Sequence, residues 1–426
     1  MLELKRTKPD VAKSDAAISR PSKSLRRNYW AFALGTVLTV LCAPIAAMAQ
    51  TPIKVGDINS YSNQAPFTEP YRRGAELAID EINTAGGING RPLQAIFRDD
   101  AAKAGDAIRQ AEELTASEGV SVLAGGFLSS VCLALADFAQ QRKVPFVCGI
   151  ASSDAIVWGK GNRYTFQTAA TTYMNTLALA EIAAKLPAKT WATVAPNYEY
   201  GTSNIARFKQ HLLRLRPDVI FVAEQWPALG KIDPGPTIDA LLAAQPDAIF
   251  NAEFGTDLVR LVREANTRGA FKGKTVVSTL TGQPEYLDTL QDETPEGWIV
   301  TGYPWQSIDT PEHMAFRAAY EKKFKDYPRM ASINGYMTYK AIAAAIKKAG
   351  STDPEKIVDA FADLTIPTPV GPITYRAADN KSTIPVFTGK LTKKDGKGVM
   401  VDWTVIDGVK LLPPPAEAAK LRPAKP

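Results

Sequence analysis

Arg73–Asp100 reads RGAELAIDEINTAGGINGRPLQAIFRDD, and this stretch decides the fold. Ala75, Ala78, Ile79 and Ile82 recur at i, i+3, i+4 and i+7, the apolar stripe of a helix. Asn83 and Gly86-Gly87 end it, because glycine accepts the left-handed backbone that stops helices. Asn89-Gly90 signals a tight turn. Leu93–Phe97 then alternates as a strand running into Asp99-Asp100. Upstream, Ile53–Ile58 reads as a buried strand. The unit is β-α-β, the building block of a parallel sheet.

The alternation continues. Helical patterns cover 104–118, 129–141, 173–185, 201–215, 237–244 and 257–268, with strands predicted at 120–124, 144–148, 164–166, 190–195, 219–223, 248–251, 275–279 and 298–303. Strands separated by helices predict an α/β fold of two doubly wound, Rossmann-like lobes. The last third changes rhythm: three helices (311–327, 332–347, 353–364) precede antiparallel strands at 371–375, 386–391 and 403–406. Residues 413–426, rich in Pro, Ala and Lys, read as a flexible tail.

Ala75–Asn83 followed by Gly86–Leu93 resembles the most recognisable segment of the extracytoplasmic solute-binding proteins of ABC importers, of the branched-chain amino-acid type. A weaker resemblance runs from about 53 to about 411. It implies the type I periplasmic binding protein fold, with lobes joined by a three-crossover hinge: an N-lobe of 51–170 plus 305–383 and a C-lobe of 171–304 plus 384–412. Such a hinge suits clamshell closure on a ligand. The implied partners are a small-molecule ligand and the transmembrane subunits of an ABC permease, with no cofactor.

Residues 1–49 read as a signal peptide with a polar, disordered N-terminal extension. Arg20, Lys23, Arg26 and Arg27 precede an apolar run from Tyr29 to Ala46. Ala47-Met48-Ala49 fits small-x-small cleavage, with the cut after Ala49 and the mature protein in the periplasm. An uncleaved anchor is the rival, since the run approaches spanning length; Pro44 speaks for removal. These residues carry eight Lys and Arg against three Asp and Glu, so they hold five of the six net positive charges. The remainder, near +1, gives no reason to expect a nucleic-acid partner. No second long apolar run follows, so the mature chain is not expected to be membrane-embedded.

In open α/β sheets ligands bind beyond the carboxyl ends of strands, where helix starts present free N–H groups. Three first-lobe segments meet that rule: the loop holding Tyr61, a candidate lid; Gly125–Ser130, with Ser129 and Ser130; and Gly149–Asp154. Serine at a helix start can equally be a cap. The resemblance implies that Ser129 and Ser152 hold a ligand carboxylate, with Ile150 and Ala151 beside them. In the second lobe it implies Tyr200 facing the ligand. Strand ends add Glu253, Phe254 and Thr281. Relatives that bind amino acids place an acid near Thr281 for the ligand ammonium, and threonine supplies no charge. Either Glu253 substitutes or the ligand is not an amino acid, which points to a small carboxylate, aromatic or aliphatic.

Cys132 and Cys148 sit at a helix start and the end of the next strand, where they form a disulfide or remain buried thiols. Catalysis is not expected. The two histidines, His211 and His313, read as surface residues outside any metal or nucleophile motif, and no phosphate-binding loop occurs. A soluble periplasmic sensor signalling through a membrane partner is the alternative to import.

Overall fold

The structure, a computed structural model, describes residues 51–423. The expected signal peptide lies outside the described residues. The first layer comprises β1 (Ile53–Asn59), α1 (Ala65–Thr84), β2 (Leu93–Asp99), α2 (Ala104–Ala116), β3 (Val122–Gly125), α3 (Ser129–Arg142), β4 (Phe146–Cys148) and β5 (Thr165–Gln167). Its five strands are parallel, in the order β2-β1-β3-β4-β5. The second layer begins with α4 (Thr172–Ala183), β6 (Thr190–Val194), α5 (Glu199–Leu215), β7 (Ile220–Gln225) and α6 (Pro234–Ala243). It continues with β8 (Ala248–Asn251), α7 (Gly255–Arg268), β9 (Thr275–Gly282), α8 (Pro284–Leu290) and β10 (Ile299–Gly302). Next come α9 (Pro311–Phe324), α10 (Met330–Ala349), α11 (Pro354–Phe361), β11 (Leu364–Ile366) and β12 (Ile373–Tyr375). The chain closes with β13 (Val386–Lys394), β14 (Lys397–Ile406) and α12 (Pro415–Lys420). The second sheet runs β14-β13-β10-β9-β8-β6-β7, and β13 is antiparallel to both neighbours. The molecule is thus an α/β fold of two lobes, each built on a mostly parallel sheet.

The opening β-α-β unit forms as its letters dictate. Gly86 and Gly87 take φ of 97° and 72° after α1, and Asn89 and Gly90 take 52° and 84°. Ile88 and Arg91 exchange backbone bonds of 2.8 and 3.0 Å around that two-residue turn.

Helix α10 returns late in the chain to pack on α1. A methyl group on Gly74 would lie 1.9 Å from the Ser332 carbonyl oxygen, and one on Gly335 would lie 2.0 Å from that of Tyr71. Two facing glycines therefore let the helix backbones approach closely. The Tyr339 hydroxyl donates to buried Asp57 on β1 (3.1 Å) and that of Tyr336 to Glu81 on α1 (2.6 Å), which fixes the register.

The chain passes between the layers near residues 170, 304 and 384. Lys381, fully buried, ties the first and third passages together. Its Nζ donates to the carbonyls of Gln167 (3.3 Å), Thr168 (3.2 Å) and Ser382 (2.8 Å), and burial pulls it well below the usual lysine range.

Two expectations need correction, and two short elements were not expected. Both histidines are buried rather than on the surface. The His211 ring stands edge-on to Tyr173 (4.4 Å), and His313 Nε2 meets the Tyr303 hydroxyl (2.5 Å); burial drags each down to about 4. Neighbouring helices cover them, which a single-helix pattern does not reveal. The described part of the tail is not loose. Pro415 starts α12, Leu411, Leu412 and Ala418 are buried, and Arg422 donates to the carbonyls of Asn162 (2.6 Å) and Ala378 (3.3 Å) on the first lobe. Finally, α8 and β11 were not foreseen, because both are short.

Gly335→Ala is expected to lower the unfolding free energy by about 1–3 kcal/mol through overpacking. In urea melts Gly105→Ala, where nothing stands within 4 Å of the new methyl, should hold or gain stability. An unshifted midpoint for Gly335→Ala would remove the case for the close helix contact.

Candidate functional site

The carboxyl ends of β3 and β4 meet one face of a crevice between the lobes. After β3, Gly125 and Gly126 take φ of 107° and 83° and turn the chain into α3. The first N–H groups of α3 have no intrahelical acceptor, and the helix dipole makes this end attractive to an anion. Ser129 stands there, 1% exposed; its Oγ accepts from the Ser153 N–H (3.3 Å) and lies beside the Tyr198 hydroxyl. Ser152 follows from the neighbouring strand end. Cys132, on the first turn of α3, is disulfide-bonded to Cys148, the last residue of β4, with Cα atoms 6.2 Å apart. The bridge clamps together the two segments that carry the serines.

The second lobe supplies helix starts from the opposite side. Tyr198 and Tyr200 open α5, Phe254 opens α7, and Gln283, Glu285 and Tyr286 open α8. Rings from both lobes interlock: Phe67 packs on Phe127 (5.2 Å) and on Tyr286 (5.1 Å), Phe127 on Phe254 (6.0 Å), and Phe254 on Tyr200 (5.3 Å) and Tyr198 (5.9 Å). The Tyr200 hydroxyl is paired with Thr279 Oγ1 (3.1 Å). The cavity left between the closely packed lobes is small, about 70 Å³.

No lysine, arginine or histidine is among the residues lining the crevice, and Glu285 is its lone carboxylate. That carboxylate is already engaged. Its oxygens accept from the N–H groups of Ala331 (2.8 Å) and Met330 (3.4 Å), so a second-lobe side chain satisfies the start of first-lobe helix α10. One turn along α8, Asp288 accepts from Arg329 Nε (2.8 Å) and from the Tyr327 hydroxyl. Elsewhere between the lobes Asp154 pairs with Arg207 (2.6 Å), and Ser153 donates to Glu199 (2.7 Å). Burial outweighs the two N–H bonds and pushes Glu285 up to about 7.

Of the residues singled out from sequence, Ser129, Ile150, Ala151, Ser152, Tyr200 and Phe254 line this crevice together. Four others do not. Tyr61 turns its hydroxyl to Asp57 (3.1 Å) and its ring edge to Phe97 (6.2 Å). Ser130 is exposed on the outer side of α3. Thr281 is buried, its hydroxyl bonded to Ser278 Oγ (2.6 Å). Glu253 is fully buried with neither carboxylate oxygen paired among the described residues; burial first and Asp257 second push it up to about 8. Neighbours along an extended segment face opposite ways, so Phe254 reaches the crevice where Glu253 turns from it, whereas at Leu280 a left-handed backbone (φ 64°) interrupts β9 and Leu280 rather than Thr281 lines the crevice. Sequence reasoning missed Phe67, Asn175, Gln283, Glu285, Tyr286, Asn334 and Phe387. Pro284 at the first turn of α8, just after β9, was the available signal for the α8 group.

The family model described as "Periplasmic binding protein" matches residues 52–397. A protein of Brucella abortus (strain 2308) named Leu/Ile/Val-binding protein homolog 7 is 26% identical over 75% of this chain and 83% of its own length. The leucine-, isoleucine-, valine-, threonine- and alanine-binding protein of Pseudomonas aeruginosa is 27% identical over 73% of this chain and 82% of its own length. Among solved structures, an ABC-transporter solute-binding protein of Rhodopseudomonas palustris in complex with 4-hydroxybenzoate is 25% identical, with a TM-score of 0.76. The match covers 83% of this chain and 97% of that one.

Burial between α8 and the start of α10 holds Glu285 at about 7 in place of its ordinary 4.5, so a closure that supplies this burial would take up a proton in that window. On this group's account the closed form is favoured as pH falls from about 7 towards 4.5 and loses ground as pH rises through 7. A fluorescence pair spanning the lobes should therefore report more closure at pH 5 than at pH 8, and Glu285→Gln should shrink that slope. Closure increasing with pH in the unaltered protein would contradict the assignment.

Proposed function

The chain belongs to the periplasmic binding protein family, and on that premise we propose that it captures a small aromatic carboxylate between its lobes and delivers it to an ABC permease. The observation that carries the ligand class is the chemistry of the crevice. It is ringed by Phe67, Phe127, Tyr198, Tyr200, Phe254 and Tyr286 and holds no cationic side chain, and its one carboxylate is spent on the start of α10. A carboxylate ligand fits the hydroxyls of Ser129 and Ser152 and the free N–H groups of α3 without a buried cation. An α-ammonium group would find no uncommitted carboxylate, because Glu285 is engaged and Glu253 faces away. The rings suit a flat apolar body, stacked or edge-on. The 4-hydroxybenzoate bound by the R. palustris protein supports the same reading, whereas the amino acids named for the P. aeruginosa protein support the amino-acid alternative.

The mechanism follows from the hinge. Ligand touching both lobes favours the closed form, and the permease then recognises that form. The lobe limits assigned to this motion are 51–170 plus 305–383 and 171–304 plus 384–412. Export with cleavage after Ala49 delivers the protein to the periplasm, where the disulfide is permitted. Among the described residues no helix is long and apolar enough to cross a membrane.

Isothermal calorimetry of the purified protein with benzoate, hydroxybenzoates, hydroxycinnamates, leucine and glutamate tests this. At least one aromatic acid should bind, and the amino acids should not. Ser129→Ala should weaken the aromatic acid about tenfold or more, the loss of one hydrogen bond to a charged group. Tight leucine binding with no response to any aromatic acid would overturn the proposal.

A further inference from the structure

Asn334 lines the crevice from α10, is 5% exposed, and its Oδ1 is buried with no partner among the described residues. The neighbouring turns of α10 are committed. Ala331 gives its N–H to Glu285, and the Thr338 hydroxyl is paired with Thr168 (2.9 Å). Asn175, the other asparagine of the crevice, also has its amide engaged, with the carbonyls of Thr171 (3.0 Å) and Ala170 (3.3 Å).

A buried amide without a partner is costly and marks a place where a polar atom is missing. The missing atom belongs to a neutral group. The Glu285 carboxylate is held one helical turn away, and a second anion at Asn334 would face it in a poorly screened interior. A carboxamide carries both acceptor and donor, and a hydroxyl complements both.

We infer that Asn334 is a specificity-determining residue that reads a ring hydroxyl, so that the ligand is a hydroxylated aromatic acid rather than an unsubstituted one. The inference rests on the reading of the crevice as an aromatic-carboxylate site. It assigns the two ends of the ligand to different walls: the anion to the start of α3, the hydroxyl to α10. A site built to hydrogen-bond a substituent rejects the analogue lacking it, because the protein's own polar atom is then left stranded.

Titrating benzoate, 3-hydroxybenzoate and 4-hydroxybenzoate into the unaltered protein, Asn334→Leu and Asn334→Ala tests this. The unaltered protein should prefer one hydroxybenzoate to benzoate by tenfold or more. Asn334→Leu, close in volume and without the amide, should bring the two within about twofold while keeping benzoate binding. Asn334→Ala should do the same, which guards against a folding defect in the leucine variant. Equal affinity for benzoate and both hydroxybenzoates in the unaltered protein, or a preference that survives both substitutions, would overturn the inference and leave the carboxylate site standing. If no aromatic acid binds at all, the underlying reading fails first, and that result is distinct from lost discrimination.

Discussion

The contact between α1 and α10 is the constraint on which the rest depends. Gly74 and Gly335 face each other's helix backbones at distances no side chain would permit, so two segments more than two hundred and fifty residues apart become one layer. That contact completes the first lobe and forces the chain to pass between lobes more than once. It also aims the start of α10 into the crevice. The N–H groups of Met330 and Ala331, and Asn334, reach the crevice because the two backbones touch. Loosening it would disturb the first-lobe core and the crevice wall together.

Two helix starts therefore point into one crevice, α3 from one wall and α10 from another. Both are electropositive ends of peptide dipoles. One is satisfied by a carboxylate from the opposing lobe, and the other has its first-turn N–H groups free. On the proposed reading, this division lets the crevice hold one anion with no lysine or arginine among its lining residues and leaves no place for a second anionic or zwitterionic group. The aromatic rings bridging the lobes contribute apolar area at the same place, so ligand burial and lobe contact are one event. Glu285 and Asp288, one turn apart on α8, give the closed form contacts that belong to the protein alone.

Much of this was legible in the letters because parallel sheets obey local rules. Helix periodicity, the glycine pair at 86–87 and the turn at 89–90 set the first β-α-β unit; the strand-end rule pointed to the segments that reach the crevice, Phe254 among them, and the family resemblance singled out Ser129, Ile150, Ser152 and Tyr200. The errors have physical sources. Glu253 lies one residue from Phe254, and a period of two reverses direction at each step; Thr281 follows Leu280, whose left-handed backbone breaks the alternation of β9. Tyr61 follows a strand end too, but an unforeseen buried carboxylate at Asp57 captures its hydroxyl. Asn334 follows no strand at all; its position is set by helix contact across the lobe, which no local pattern encodes. The histidines were misplaced for the same reason.

The route of the final segment has a consequence for handling the molecule. The described chain begins in β1 of the first lobe, and after β14 in the second lobe it comes back, with Arg422 fastened to Asn162 and Ala378. Residues 51 and 423 are thus on the same lobe. Tethering the protein to a surface or an electrode at either end would hold that part still and leave the other free to swing. A reporter dye placed on α5 or α7 would then convert ligand capture into a displacement measured against a fixed support.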